Sequence, residues 1–220
     1  GIGQRGGNMT KLSEFYKILA AKVTDELVVT NLTSANFQWR ALTEPRDANI
    51  YDVYMSGATS VALAMAKCLP HRGVISLDGD GSILMGLSIL LAVGQQNPSN
   101  LTIIIADNES YDAVGGHPTF TADKADLVAI AQGAGITNVW EVRELSEFQR
   151  VIDEAFQADG ASLINLKVEK GIKLRGNMNL DGIENKYRFI RYIERTENLD
   201  ILTQRGSKAP DEVKWPKHKQ

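Results

Sequence analysis

Residues 76–86 read "SLDGDGSILMG": an apolar run stops, an acid sits between two glycines, and a helix-like pattern begins. Gly79 and Gly81 tolerate backbone conformations and close ligand approaches that a side chain would block. Ser82 is placed to cap the following helix. The start of that helix offers free N–H groups and the positive end of a dipole, both of which favour phosphate. Asp80 adds a hard oxygen of the kind Mg²⁺ takes when it bridges phosphates. On its own, Gly-Asp-Gly is also an ordinary turn sequence.

The rest of the chain decides between these readings. "GVISL" (73–77) and "LTIIIA" (101–106) are continuous apolar runs rich in β-branched residues, as expected of strands buried on both faces. A helix is expected between them, from about Ser82 to Gln95. Leu12–Val23 reads as an amphipathic helix, "ELVVT" as a strand, "NIYDVYM" as a second extended piece, and "SGATSVALAMAKCL" as a helix rich in small residues. Further on, "DKADLVAIAQGAG" is helical, with Leu127, Ile130, Ala131 and Ala134 on one face. "NVWEV" is a strand, and Ser146 with Gln149 forms a capping-box pattern for a helix carrying Phe148, Val151, Ile152 and Phe156. "ASLINLKV" is the last strand. Repeated strand–helix–strand units imply an α/β fold, a parallel sheet with helices on both faces. Ligands bind such sheets beyond the carboxyl ends of the strands, here after Leu77 and after Ala106.

After "LTIIIA" comes "DNESYDAVGGHPTF", in which Asn108 follows Asp80 by 28 positions, at the carboxyl end of what should be the neighbouring strand. Asp80 and Asn108 would then converge on one crevice. Gly-Asp-Gly, a helix and strand of this length, then an asparagine: the pairing resembles the thiamine diphosphate motif. "DGDGSILMGL", "DNESYDAVGGHPT" and "MSGATSVALAMA" carry the resemblance. It runs from about residue 11 to 170 and is to the diphosphate-binding (PP) domain of thiamine diphosphate enzymes, of the sulfopyruvate and phosphonopyruvate decarboxylase type. The resemblance implies that Asp80, Asn108 and the Ser110 carbonyl bind Mg²⁺. It also implies that Gly79, Gly81 and Ser82 line the diphosphate. The backbone around Val53 and Met55 would face the aminopyrimidine, with Met55 as the wedge that bends the cofactor. Relatives usually read Met-Gly after this strand, whereas this chain reads Met55-Ser56-Gly57. Tyr111 would cover the cofactor or pack, His117 would contact substrate or move a proton, and Asn31, Thr33 and Ser34 would line the pocket. Gly115-Gly116 suggests a loop that orders on cofactor binding.

The family also uses an activating glutamate from a separate pyrimidine-binding (PYR) domain. The expectation is therefore a split lyase, with this chain as PP subunit and the glutamate on a PYR subunit, in a hetero-oligomer of α2β2 type. Three activities are compatible with these residues. One is nonoxidative decarboxylation of a 2-oxo acid. Another is carboligation or cleavage of a 2-hydroxyacyl thioester. The third is a non-catalytic cofactor-binding role.

The composition excludes other classes. With 24 Lys/Arg against 27 Asp/Glu the formal charge is −3, without the basic excess of a nucleic-acid binder. The longest apolar run, Ile83–Val93, is interrupted by Gly86 and Ser88 and is too short to span a bilayer. His71, His117 and His218 are too scattered for a zinc site. A single cysteine, Cys68, suits a reducing compartment, hence a cytoplasmic location. Residues 1–10 read as a tag-like or disordered start, and 11–170 as the cofactor domain. Residues 171–220 read as an extension: a loop "IKLRGNMNLDG", a charged helix over Ile183–Glu197 with Ile183, Tyr187, Ile190 and Ile193 on one face, and a basic tail from Arg205.

Overall fold

The computed structural model describes residues 9–171 and 180–202. The start over 1–8, most of the "IKLRGNMNLDG" loop and the basic tail lie outside the described residues. The elements in chain order are α1 (Leu12–Lys22), β1 (Leu27–Asn31), α2 (Ser34–Thr43), β2 (Asn49–Val53), α3 (Ala58–Cys68), β3 (Val74–Gly79), α4 (Asp80–Met85), α5 (Ile89–Gln96) and β4 (Leu101–Asp107). After them come a two-residue strand pair, β5 (Ser110–Tyr111) and β6 (His117–Pro118), then α6 (Leu127–Gly133), β7 (Asn138–Val142), α7 (Leu145–Phe156), β8 (Ser162–Lys167) and α8 (Gly182–Glu197).

Six strands form one parallel sheet in the order β2-β1-β3-β4-β8-β7. Alternation along the strands builds two cores. Leu27, Val29, Val74, Leu101, Ile103 and Leu163 face a layer formed by α3, α5, α6 and α8. Val28, Ile75, Leu77, Ile104, Ile164 and Leu166 face α1, α2 and α7. Burial on both sides is why these strands read as unbroken apolar runs. The chain leaves β1 towards β2 on one side, and leaves β3 towards β4 on the other. The crevice between the carboxyl ends of β1 and β3 is therefore the topological switch point.

Four local expectations are corrected. The single helix expected from Ser82 to Gln95 is two, because Gly86 ends α4 while its Cα packs against Ser56, where a Cβ would lie 2.6 Å from the serine Cβ. Ser82 does not cap: α4 begins at Asp80 with Gly79 before it, and Ser82 is the third residue of its first turn. The Ser146–Gln149 capping box does not form either, since α7 starts at Leu145 with Glu144 at the cap position and no side-chain cap. On α8 the buried residues are Asn185, Phe189 and Ile193, while Ile183 and Tyr187 are exposed. Asn185 explains this rotation. Its Oδ1 accepts from the Tyr51 amide at 3.3 Å and its Nδ2 donates to the Tyr51 carbonyl at 2.8 Å, so it pairs with the outer edge of β2 as a neighbouring strand would. Arg188 extends the cover by donating to the carbonyls of Arg46 and Asn49.

Candidate functional site

The switch point opens into a crevice of about 770 Å³, part of it continuous with solvent. Thr33 lines it from the loop after β1, Met55 from the loop after β2, Gly79 to Ser82 from the end of β3, and Asn108, Ser110 and Tyr111 from beyond β4. The two sequence motifs thus meet in space, as parallel neighbours β3 and β4 require: Gly79 is the register partner of Ala106.

Asp80 is buried at the first position of α4. Its Oδ2 accepts from Thr119 Oγ1 at 2.6 Å and from Thr121 Oγ1 at 3.0 Å. Burial, with the Asp107 carboxylate nearby, pushes the Asp80 acid up to about 6, against the pull of the Thr119, Gly81 and Thr121 hydrogen bonds. Its partners are hydroxyls and a backbone amide, none of them cationic. Asn108 Oδ1 accepts from the Ser110 amide at 3.1 Å, and Asn108 Nδ2 donates to Asp112 at 2.8 Å. Ser110 faces Pro118 across the hairpin, and proline has no N–H to offer its carbonyl.

The donor set is therefore one buried carboxylate, an amide oxygen and a backbone carbonyl. Among the described residues no group of three His, Cys, Asp or Glu could hold a metal. A hard cation bound at Asp80 would need its remaining oxygens from elsewhere, and a diphosphate supplies them. The residues fit Mg²⁺ on that count, and a cation would offset the unfavourable burial of Asp80.

Glycine is required at residue 81, since a Cβ there would run into the Tyr111 ring. Tyr111 lies half-buried over this turn. Ser82 is buried, and its Oγ accepts from the Ser56 amide at 2.9 Å. Ser56 adopts φ = 70°. Met55 lines the crevice. Val53 does not line it; it packs on the α3-side core, and its carbonyl accepts from Leu32 N. Here the β1–β2 register shifts, Asp52 takes φ = 55°, and the buried Asn36 amide donates to the Asp52 carboxylate. His117 is exposed on β6 and does not line the crevice. Thr33 and Ser34 line it. Asn31 lies beneath, donating to Asp78 Oδ1 at 2.8 Å.

Several residues of the site were not singled out from sequence. Asp78 is fully buried and held by Asn31, the Gly79 amide and Thr59, and burial raises its acid. Thr119 and Thr121 hold Asp80. The helix α2 was also missed, although Thr33 is a sound N-cap, its hydroxyl accepting from Ala35 N.

A buried carboxylate with no cationic partner beside a glycine turn, at the switch point of a parallel sheet, is the setting of a diphosphate-binding α/β domain. The family model described as "Thiamine pyrophosphate enzyme, C-terminal TPP binding domain" matches residues 31–166, and the chain belongs to that family. Over 172 residues it is 30% identical to the sulfopyruvate decarboxylase subunit beta of Methanocaldococcus jannaschii, a match covering 78% of this chain and 90% of that one. The same-named subunit of Methanothermobacter thermautotrophicus is 33% identical over 189 residues, covering 84% and 96%. Phosphonopyruvate decarboxylase of Streptomyces viridochromogenes is 31% identical over 182 residues, 82% of this chain but 43% of that longer one. Among solved structures, the thiamine diphosphate-dependent 4-hydroxybenzoylformate decarboxylase of Rhodococcus jostii RHA1 superposes with a TM-score of 0.61. Its identity is 21%, over 77% of this chain and 34% of that one, a likeness of fold.

Proposed function

We propose that this chain is the PP subunit of a split thiamine diphosphate-dependent lyase, acting with a separate PYR subunit in the nonoxidative decarboxylation of a 2-oxo acid. The observation that carries the reading is the buried Asp80 carboxylate facing Asn108 and Ser110 across the switch-point crevice. Two relatives matched over 90% or more of their length are named as beta subunits, which supports a partner chain. The proposed assembly is α2β2, with the crevice at the subunit boundary.

In this reading Asp80, Asn108 Oδ1 and the Ser110 carbonyl hold Mg²⁺, and Gly79, Gly81 and Ser82 line the diphosphate. Tyr111 excludes water from the glycine turn, and Met55 orients the ring end of the cofactor. Among the described residues the acids lining the crevice are Asp80 and Asp112, and the activating glutamate is assigned to the partner. Thiamine diphosphate, when bound, supplies the electron sink that decarboxylation of a 2-oxo acid requires. The names of the relatives point to a short 2-oxo acid bearing a second strong anion, sulfonate or phosphonate. The cofactor unit is placed over 11–170 and the extension over 171–220. No helix among the described residues is long and apolar enough to cross a membrane; a cytoplasmic site of action is part of the same proposal, supported by the single cysteine, which is free.

The test is to titrate thiamine diphosphate and Mg²⁺ into the assembled complex and assay it with sulfopyruvate, phosphonopyruvate and pyruvate. Carbon dioxide release from an anionic 2-oxo acid is expected, dependent on both cofactors and on the partner. A complex that does not bind the cofactor overturns the reading. So does full turnover by this chain alone.

A further inference from the structure

Asn108 stands between two acids, and both reach the same buried ammonium. Lys167 ends β8 directly opposite Asp107, its register partner on β4. Its Nζ lies 2.7 Å from Asp107 Oδ2 and 3.3 Å from Glu109 Oε1, and the residue is 8% exposed. Asp107 is further fixed by Thr121 Oγ1 at 2.9 Å and Asn165 Nδ2 at 3.0 Å. Glu109 takes φ = 56°, a left-handed conformation that non-glycine residues adopt only when something holds them there. That reversal separates Asn108 from Ser110, so it sets where the Asn108 amide oxygen and the Ser110 carbonyl point.

We propose that Lys167 is a positioning residue for the metal site: one ammonium clamps the residues before and after Asn108 and so fixes two of the three metal-ligand oxygens. The inference rests on the reading of Asn108 and Ser110 as Mg²⁺ ligands. Three features of the clamp separate it from an ordinary buried ion pair. It is bidentate in the chain sense, gripping positions on both sides of one residue. It joins strand ends that are far apart in sequence. It also reaches towards Asp80, because Thr121 Oγ1 lies within hydrogen-bond distance of both Asp107 Oδ1, at 2.9 Å, and Asp80 Oδ2, at 3.0 Å, and shares its one proton between them. Lys170, exposed and 3.4 Å from Glu109 Oε2, adds an outer contact to the second acid alone.

The experiment uses the assembled complex with thiamine diphosphate and Mn²⁺ as the paramagnetic probe, free Mn²⁺ being read by electron paramagnetic resonance. The variants are Asp80→Asn, Lys167→Met, Lys167→Arg and Glu109→Gln, with thermal unfolding recorded for each. Lys167→Met is expected to weaken Mn²⁺ binding by about tenfold or more, as loss of a ligand-orienting partner does. Lys167→Arg is expected to recover most of that loss. Glu109→Gln leaves the Asp107–Lys167 pair intact and is expected to weaken Mn²⁺ binding by about threefold or more. It carries the test if Lys167→Met does not fold. Unchanged Mn²⁺ affinity in Asp80→Asn overturns the metal reading itself. A large effect of Asp80→Asn, with Mn²⁺ affinity in the folded clamp variants within twofold of wild type, overturns the clamp alone.

Discussion

Thr119 Oγ1 donates to Asp80 Oδ2 at 2.6 Å, joining the residue just after the β5–β6 hairpin to the first position of α4 across 39 positions of chain. The bond makes the hairpin and the glycine turn one unit. Thr119→Val keeps the shape and removes the donor. It should lower thiamine diphosphate affinity in the complex by about tenfold, as loss of a carboxylate's orienting partner does. Isothermal titration checks this, and an affinity within twofold of wild type would show that cofactor binding does not depend on the bond.

Asp80 gives the cofactor-free protein a pH dependence of definite sign. Its acid is raised from 3.8 to about 6 in the folded state. Between those values the folded chain holds a proton that the unfolded chain has lost. Stability therefore falls as pH rises through this window and levels off above it, by up to about 3 kcal/mol in total. Asp80→Asn should be more stable than wild type at about pH 7.5, and the difference should vanish below about pH 4. Thermal unfolding across pH checks it; parallel curves for the two proteins would contradict the assignment.

Gly81 and Tyr111 should be coupled. Gly81→Ala places a methyl in the Tyr111 ring, so the ring must leave the turn. The variant should fold, with a loss of about 1–3 kcal/mol from overpacking, and should bind cofactor poorly. Adding Tyr111→Ala should restore part of the stability. A double-mutant cycle measures the coupling, which is expected to exceed about 0.5 kcal/mol.

Asn185 tests the extension. Asn185→Ala strands the Tyr51 amide and carbonyl in a buried setting, at a cost of about 2–4 kcal/mol. Cofactor affinity of the folded protein should be unchanged. Chemical denaturation reports the first quantity and titration the second.

The strands and the Asp80–Asn108 pairing were legible because each leaves a one-dimensional trace: a β-branched apolar run, or a glycine-flanked acid at a fixed spacing. What stayed hidden depends on partners distant in sequence. Thr119 and Thr121 are ordinary loop threonines until the fold sets them on Asp80. Asp78 looks like one more turn acid, yet it is fully buried because Asn31 and Thr59 come from two other elements. The docking face of α8 was not legible from its apolar residues, because the residue that docks it is an asparagine. The break after Met85 shows the same limit: Gly86 makes room for Ser56, 30 positions away in the chain.

The cover that α8 lays over β2 also bears on solubility. An uncovered outer strand is a template on which a second sheet can grow, the route to fibres and swapped dimers. With both polar groups of Tyr51 and the carbonyl of Asn49 already engaged, β2 offers no free rungs at its centre. Two copies of this chain cannot zip together there, and loss of α8 would expose a sticky edge as well as an unpaired one.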